Sequence, residues 1–350
     1  MASDRDQIFS LSGPIYLTTI LDWRNASHRR SIAASLVKGV STLERDRQQN
    51  RQGPHALAQP WWESFNFRLI QTLVDGKDRS IFGAIFQYKF PNYMSSHNYQ
   101  NPPNYVIAFR GTIMKRKSIS QDLKLNLRII VNRQCSSSRF STGLQAVQNI
   151  IQNHGISNIW LAGHSKGSAI ALIIGRDMAK IGIHLETYLF NPPFASLPID
   201  KINNDTLKHG IRCAHSLITG GLAFTVNMMS TSTNRPSDND DTFTKLCGWI
   251  PYLFVNPSDL ICSGYLGYFE HMEKMIESGA DEMARIVTRN SIRSIIATAI
   301  GKESEPSQNL PSAYVITNLS PRPYPEKLAH GVSQWWTPDL RCNYKRYQFW

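Results

Sequence analysis

Residues 158 to 175 read NIWLAGHSKGSAIALIIG and change character twice. Asn158 to Ala162 is apolar and suits a short strand. Gly163-His164-Ser165-Lys166-Gly167 is a turn. Ser168 to Ile174 opens a helix of small apolar residues. A G-x-S-x-G turn between a strand and a helix lifts its serine hydroxyl above a sheet edge, because the glycines permit a backbone that a side chain would block. The five-residue pattern alone is weak. It gains weight from the strand before it, the helix after it and the partners a reactive serine requires. The plain alternative is a strand–helix turn with an inert serine.

Working outward, the chain alternates between helical and strand patterns. Ser27 is a suitable N-cap for a helix to about Arg45, with Ile32, Leu36, Val37, Val40 and Leu43 on one face. A second helix is expected from Pro60, because Trp61, Phe65, Leu69 and Leu73 recur at four-residue steps. Residues 1–75 therefore read as a helical N-terminal elaboration. Strands are expected at 80–90, 104–110, 185–190, 252–256, 313–318 and 344–350. Helices are expected at 141–154, 200–230 and 269–300, the last broken near Gly279. Residues 122–130 fit either period. Residues 231–242 are polar and read as a surface loop. Strands interleaved with helices predict an α/β fold with a mostly parallel central sheet, flanking helices and one domain over residues 1–350.

A serine hydroxyl is a poor nucleophile without a base, and the base needs a carboxylate to hold its tautomer. In α/β-hydrolases these groups follow the serine in the order acid, then histidine, on loops after strands. Asp259 fits the acid best, three residues past the strand YLFVN; Asp200, ten residues past Phe190, is the alternative. Two histidines follow Asp259. His330 lies in a loop-like segment beyond the last apolar strand, whereas His271 lies in a helical run. His330 is therefore the expected base, and His164 is read as supporting the turn. The oxyanion of a tetrahedral intermediate needs donors: the Lys166 amide, directly after the serine, and Thr112, directly after the strand ending in Phe109-Arg110-Gly111. This chemistry needs no metal and no organic cofactor.

Composition narrows the class further. The chain has 350 residues, 41% hydrophobic and 18% charged, with a net charge of +12. Five scattered cysteines without a C-x-x-C pair point to a reducing compartment rather than a disulfide framework. The N-terminus lacks a secretory signal pattern and no stretch of 18 uninterrupted apolar residues occurs. An intracellular protein is expected, cytoplasmic or peripheral to a membrane. No zinc-finger, homeodomain or RNP signature accompanies the basic charge, so nucleic acid is not an expected partner.

The residues VIAFRGT to Thr112, then Asp122-Leu123, Gly-His-Ser-Lys-Gly at the turn, the strand leading to Asp259, and His330-Gly-Val-Ser-Gln-Trp-Trp336 together resemble the class 3, fungal triacylglycerol-lipase-like lipases. The likeness is to the plant branch often labelled GDSL esterase/lipase, although no GDSL motif occurs here. The resemblance implies an α/β-hydrolase of the triacylglycerol lipase or esterase class, using a Ser-His-Asp catalytic triad in lipid metabolism. Ser165 would be the nucleophile, Asp259 the acid, His330 the base, and Thr112 and Lys166 the oxyanion donors. It also implies a lid at residues 113–121. Its Lys115, Arg116 and Lys117 suit contact with anionic headgroups at a membrane or lipid surface. The family usually carries Leu at position 166 and Gly at position 168, where this chain has Lys166 and Ser168. Those departures, together with a basic lid less aromatic than in typical fat-cleaving lipases, point away from neutral triacylglycerol; the expected substrate class is a lipid or hydrophobic acyl ester. The alternative function is a catalytically silent, lipase-like binding or regulatory protein.

Overall fold

The computed structural model describes residues 13–90, 101–113, 138–156, 158–194, 244–277, 310–320 and 329–349. Eight strands form one sheet in the order of the sequence: β1 (Phe67–Val74), β2 (Ile81–Tyr88), β3 (Tyr105–Phe109), β4 (Ile159–His164), β5 (Glu186–Phe190), β6 (Tyr252–Val255), β7 (Ser312–Asn318) and β8 (Cys342–Gln348). β1, β2 and β3 pair antiparallel; β3 through β7 pair parallel; β8 returns antiparallel on β7. The described helices are α1 (Ala26–Gln48), α2 (Ser138–His154), α3 (Lys166–Lys180) and α4 (Gly264–Glu277).

This order dictates how the two faces are covered. The parallel strands advance in one direction, and right-handed crossovers then place successive connections on the same face. Ile107, Leu161, Leu189 and Leu253 accordingly pack with Val147 of α2, Ile170 and Ile174 of α3, and Tyr265 and Phe269 of α4. The alternate residues, Val106, Trp160, Tyr188 and Phe254, point the other way. No crossover among the described residues covers that face. It is closed by α1, through Ile32, Leu36, Val37 and Val40, and by Trp61, Trp62 and Trp335.

Several sequence expectations are corrected. Asn25, not Ser27, caps α1: its side chain accepts from the Ser27 and His28 amides, and the helix runs three residues past Arg45. The second helix expected from Pro60 is a 3-10 turn at Trp61–Phe65, ended by Asn66 in the left-handed region, followed by strand β1. Steps of four residues are compatible with both helix and strand, and pairing with β2 settles the choice. α2 starts three residues before the expected Ser141, and α4 starts at Gly264 rather than Phe269. Residues 122–130, 200–230 and 231–242, Asp200, and all of the 113–121 segment except Ile113 lie outside the described residues. No described helix is long and apolar enough to cross a membrane.

The register brings the carboxyl ends of the parallel strands level. Phe109 is opposite Gly163, His164 opposite Phe190, Phe190 opposite Phe254, and Val255 opposite Thr317. Segments leaving these strand ends converge on one edge of the sheet, where open α/β sheets place their sites.

Candidate active site

Ser165 joins β4 to α3 at φ 52° and ψ −120°, a conformation unfavourable for a residue with a side chain. Its amide donates to the Phe190 carbonyl at 2.9 Å, which holds the turn against β5. The flanking glycines are sterically required. A Cβ on Gly163 would sit 2.4 Å from the Gly167 carbonyl oxygen, and one on Gly167 would sit 2.3 Å from the Phe109 carbonyl oxygen. Ser168, where the resembled family has glycine, is buried with its hydroxyl 2.8 Å from the carbonyl oxygens of both Gly163 and Phe190. It thus links β4 to β5 beneath the turn.

Asp259 lies past β6 and His330 lies past β7, and the structure brings both to Ser165. His330 Nδ1 is 2.9 Å from Asp259 Oδ2, and His330 Nε2 is 3.0 Å from Ser165 Oγ. Asp259 is 3% exposed. Burial pushes its pKa up, but hydrogen bonds from His330, Asn191 and the Ile261 amide, with the charge of His330, hold it below the ordinary carboxylate value. An ionised Asp259 fixes the proton on Nδ1, which leaves the Nε2 lone pair facing the serine hydroxyl. Ser165 makes no helix-capping bond with its side chain.

The candidate oxyanion donors sit beside this group. Lys166 is the first residue of α3, and the first amides of a helix have no carbonyl one turn earlier to bond. Gly111 brings the β3 loop against the turn: a Cβ there would be 2.8 Å from His164 Nδ1 and 3.1 Å from Ser165 Cβ. Thr112 follows immediately and is exposed. Arg110 anchors this loop, donating to Ile81 O at 2.5 Å and to Gly111 O at 2.8 Å. Burial lowers its pKa to about 10, against the pull of Glu44. The Lys166 side chain is half-buried; burial, and then Arg139, lower its pKa.

The hydrogen bond that Ser165 Oγ makes is to His330, and the His164 ring bonds elsewhere. Its Nε2 is 2.7 Å from the His330 carbonyl oxygen. Burial, and then the nearby His330, lower its pKa to about 3. The ring is therefore neutral at physiological pH, and since a carbonyl only accepts, Nε2 carries the proton. His271, the other histidine after Asp259, lies in α4.

Sequence reasoning missed the side chains that hold the His330 segment. Gln334, 5% exposed, donates to Ala329 O at 2.7 Å and to Gly331 O at 2.9 Å. Its Oε1 accepts from Asn256 at 2.7 Å and Asn318 at 2.8 Å, at the ends of β6 and β7. Asn191, at the end of β5, donates to Asp259 Oδ2 at 2.7 Å and to Ala329 O at 2.9 Å. Its Oδ1 accepts from Trp335 Nε1 at 2.7 Å, and the Trp335 carbonyl accepts from Arg30 of α1 at 2.8 Å. With His164, these residues bond the carbonyls of 329, 330 and 331 in turn. The one available sequence signal was Asn191 closing a strand just before two prolines.

Among the described residues, no three His, Cys, Asp or Glu side chains gather where a metal ion could sit. An open groove lined by Arg68, Ile70, Gln87, Tyr105, Ile150 and His154 lies at the opposite end of β3 from Ser165.

The chain is 45% identical, over 100% of its own length and 99% of the relative's, to a GDSL esterase/lipase from Arabidopsis thaliana. No family model and no solved structure matches it.

Proposed function

The chain belongs to the same family as that Arabidopsis GDSL esterase/lipase, and from this kinship and the geometry at Ser165 we propose that it is a serine carboxylic-ester hydrolase. We read its sheet and helices as an α/β-hydrolase domain of the class 3 lipase-like kind. The substrate is a lipid or hydrophobic acyl ester. The observation that carries the reading is the line of contacts from Ser165 Oγ through the His330 ring to Asp259, at 3.0 and 2.9 Å.

In this mechanism His330 Nε2 takes the Ser165 proton as Oγ attacks the ester carbonyl. Asp259 stabilises the resulting imidazolium and stays ionised. The Lys166 amide and Thr112 receive the oxyanion. His330 then protonates the departing alcohol, and water hydrolyses the acyl-enzyme by the same steps. Removing one oxyanion donor typically costs about 3–4 kcal/mol of barrier.

Hydrolysis of short- and long-chain p-nitrophenyl esters, together with labelling by a fluorophosphonate, tests the proposal. Wild type is expected to turn over and to label, and Ser165→Ala to do neither. No labelling of wild type, or equal labelling of the variant, would overturn the enzyme reading in favour of a catalytically silent, lipase-like binding protein.

A further inference from the structure

Asp259 Oδ2 receives more donors than the proton relay uses. His330 Nδ1 lies at 2.9 Å, Asn191 Nδ2 at 2.7 Å and Cys262 Sγ at 3.2 Å. The Ile261 amide reaches Oδ1 at 3.1 Å. Cys262 is 0% exposed, as is Asn191. The thiol stays protonated, because burial, then the neighbouring carboxylate, push its pKa well above the ordinary thiol value. Its other acceptors, the carbonyls of Asn256 and Asp259, are farther, at 3.7 and 3.9 Å. The single hydrogen is therefore best spent on Oδ2.

The Asn191 amide cannot be turned over. Flipping it would set its oxygen against Asp259 Oδ2 and the Ala329 carbonyl, and its NH2 against the Trp335 N–H. Its backbone is fixed at φ 47°, with its amide on the Phe254 carbonyl at 2.9 Å. One side chain thus ties the acid to the residue before the base.

We propose that Asn191 and Cys262 are positioning residues that orient Asp259 toward His330 and share the negative charge on Oδ2. The catalytic consequence rests on the hydrolase reading; the bonding arrangement does not. A carboxylate oxygen that loses a donor turns more negative toward its remaining partner. Removing the thiol should therefore tighten the His330–Asp259 bond and favour the protonated imidazole. Among the described residues, the other titratable groups acting here are His164, whose ring centre is 5.0 Å from that of His330, Lys38 of α1, whose charge acts on His164, and Tyr265 of α4, beside Cys262. All three are unaltered in the variants below.

The test compares wild type, Cys262→Ala, Cys262→Ser and Asn191→Ala in the full chain. Two readouts are used: the downfield proton resonance of His330 Nδ1–H, and the pH dependence of kcat/KM on a p-nitrophenyl ester. Cys262→Ala should move the resonance downfield and shift the acid limb to higher pH by about half a unit, so activity falls about threefold below the limb and little above it. Cys262→Ser keeps a donor and should restore both. Asn191→Ala also loses the Ala329 tether and should lower kcat about 10- to 100-fold at every pH. If Asn191→Ala does not fold, the Cys262 pair still decides. An unmoved resonance in Cys262→Ala, a limb shifted to lower pH, or Cys262→Ser behaving as Ala would overturn the proposal. A resonance that moves as expected in a protein that hydrolyses nothing would overturn the hydrolase reading and leave the positioning pair standing.

Discussion

The two halves of the site are built by different means. The Ser165 half is a backbone construction: a residue at φ 52°, two glycines with no room for a Cβ, and a helix start. The Asp259–His330 half is a side-chain construction, in which Asn191, Cys262, Gln334 and His164 hold two loops by hydrogen bonds. A steric arrangement fails all at once when one atom is added. A bonded network fails by degrees, one donor at a time. The first half should therefore break at folding, and the second at turnover.

The largest expected effect removes the point where the halves meet. Ser165→Ala should lower kcat about 10^4- to 10^6-fold on a p-nitrophenyl ester while leaving the melting temperature near wild type, since only a hydroxyl is lost. Next comes the steric half. Gly167→Ala sets a Cβ 2.3 Å from the Phe109 carbonyl, a backbone atom that cannot swing away. It should cost about 3 kcal/mol of stability or more in denaturant unfolding. A variant that kept full stability would show that the turn is not held sterically.

Gln334→Ala probes the bonded half. It releases the carbonyls of Ala329 and Gly331 and leaves the amides of Asn256 and Asn318 without their shared acceptor. A loss of about 2 kcal/mol in stability and about 10- to 100-fold in kcat is expected, with KM little changed. If stability fell as far as in Gly167→Ala and kcat did not move, the two halves would not differ in kind.

These two modes of construction also explain what the sequence disclosed. Steric constraints are written in adjacent residues, so Gly163, Ser165 and Gly167 announce the turn, and chain order then leads to Asp259 and His330. The network is written in residues from separate strand ends. Asn191, Asn256 and Asn318 become partners of Gln334 or Asp259 only after β5, β6 and β7 line up, and nothing local to them says so. The strand β1 was hidden for another reason. Phe65, Leu69 and Leu73 are spaced by four, which serves both periods, and pairing with β2 made the choice. The covering of the second face by α1 likewise follows from strand order, which the local pattern does not contain.

Outside the site, Asp75 gives a smaller effect with a defined pH window. Its carboxylate accepts from the Lys77 amide at 3.0 Å, Arg139 at 2.5 Å and Ser138 at 2.9 Å. Against the upward push of burial, these bonds lower its pKa from 3.8 to about 2. A depressed folded-state pKa adds stability that is complete above the unfolded value and is lost as pH falls through the folded one. Asp75→Asn should therefore cost roughly 1–2 kcal/mol at pH 6, with the difference from wild type shrinking between about pH 4 and pH 2. A difference that stayed constant across that range would assign the loss to packing rather than charge.

In the proposed mechanism Ser165 is the nucleophile, and His330 and Asp259 activate it. Peptide-mapping mass spectrometry after fluorophosphonate treatment tests this mechanism most directly. A single covalent adduct is expected on the peptide containing Ser165 in wild type, formed far more slowly in His330→Ala. An adduct on another residue, or labelling of Ser165 at an undiminished rate without His330, would contradict the mechanism.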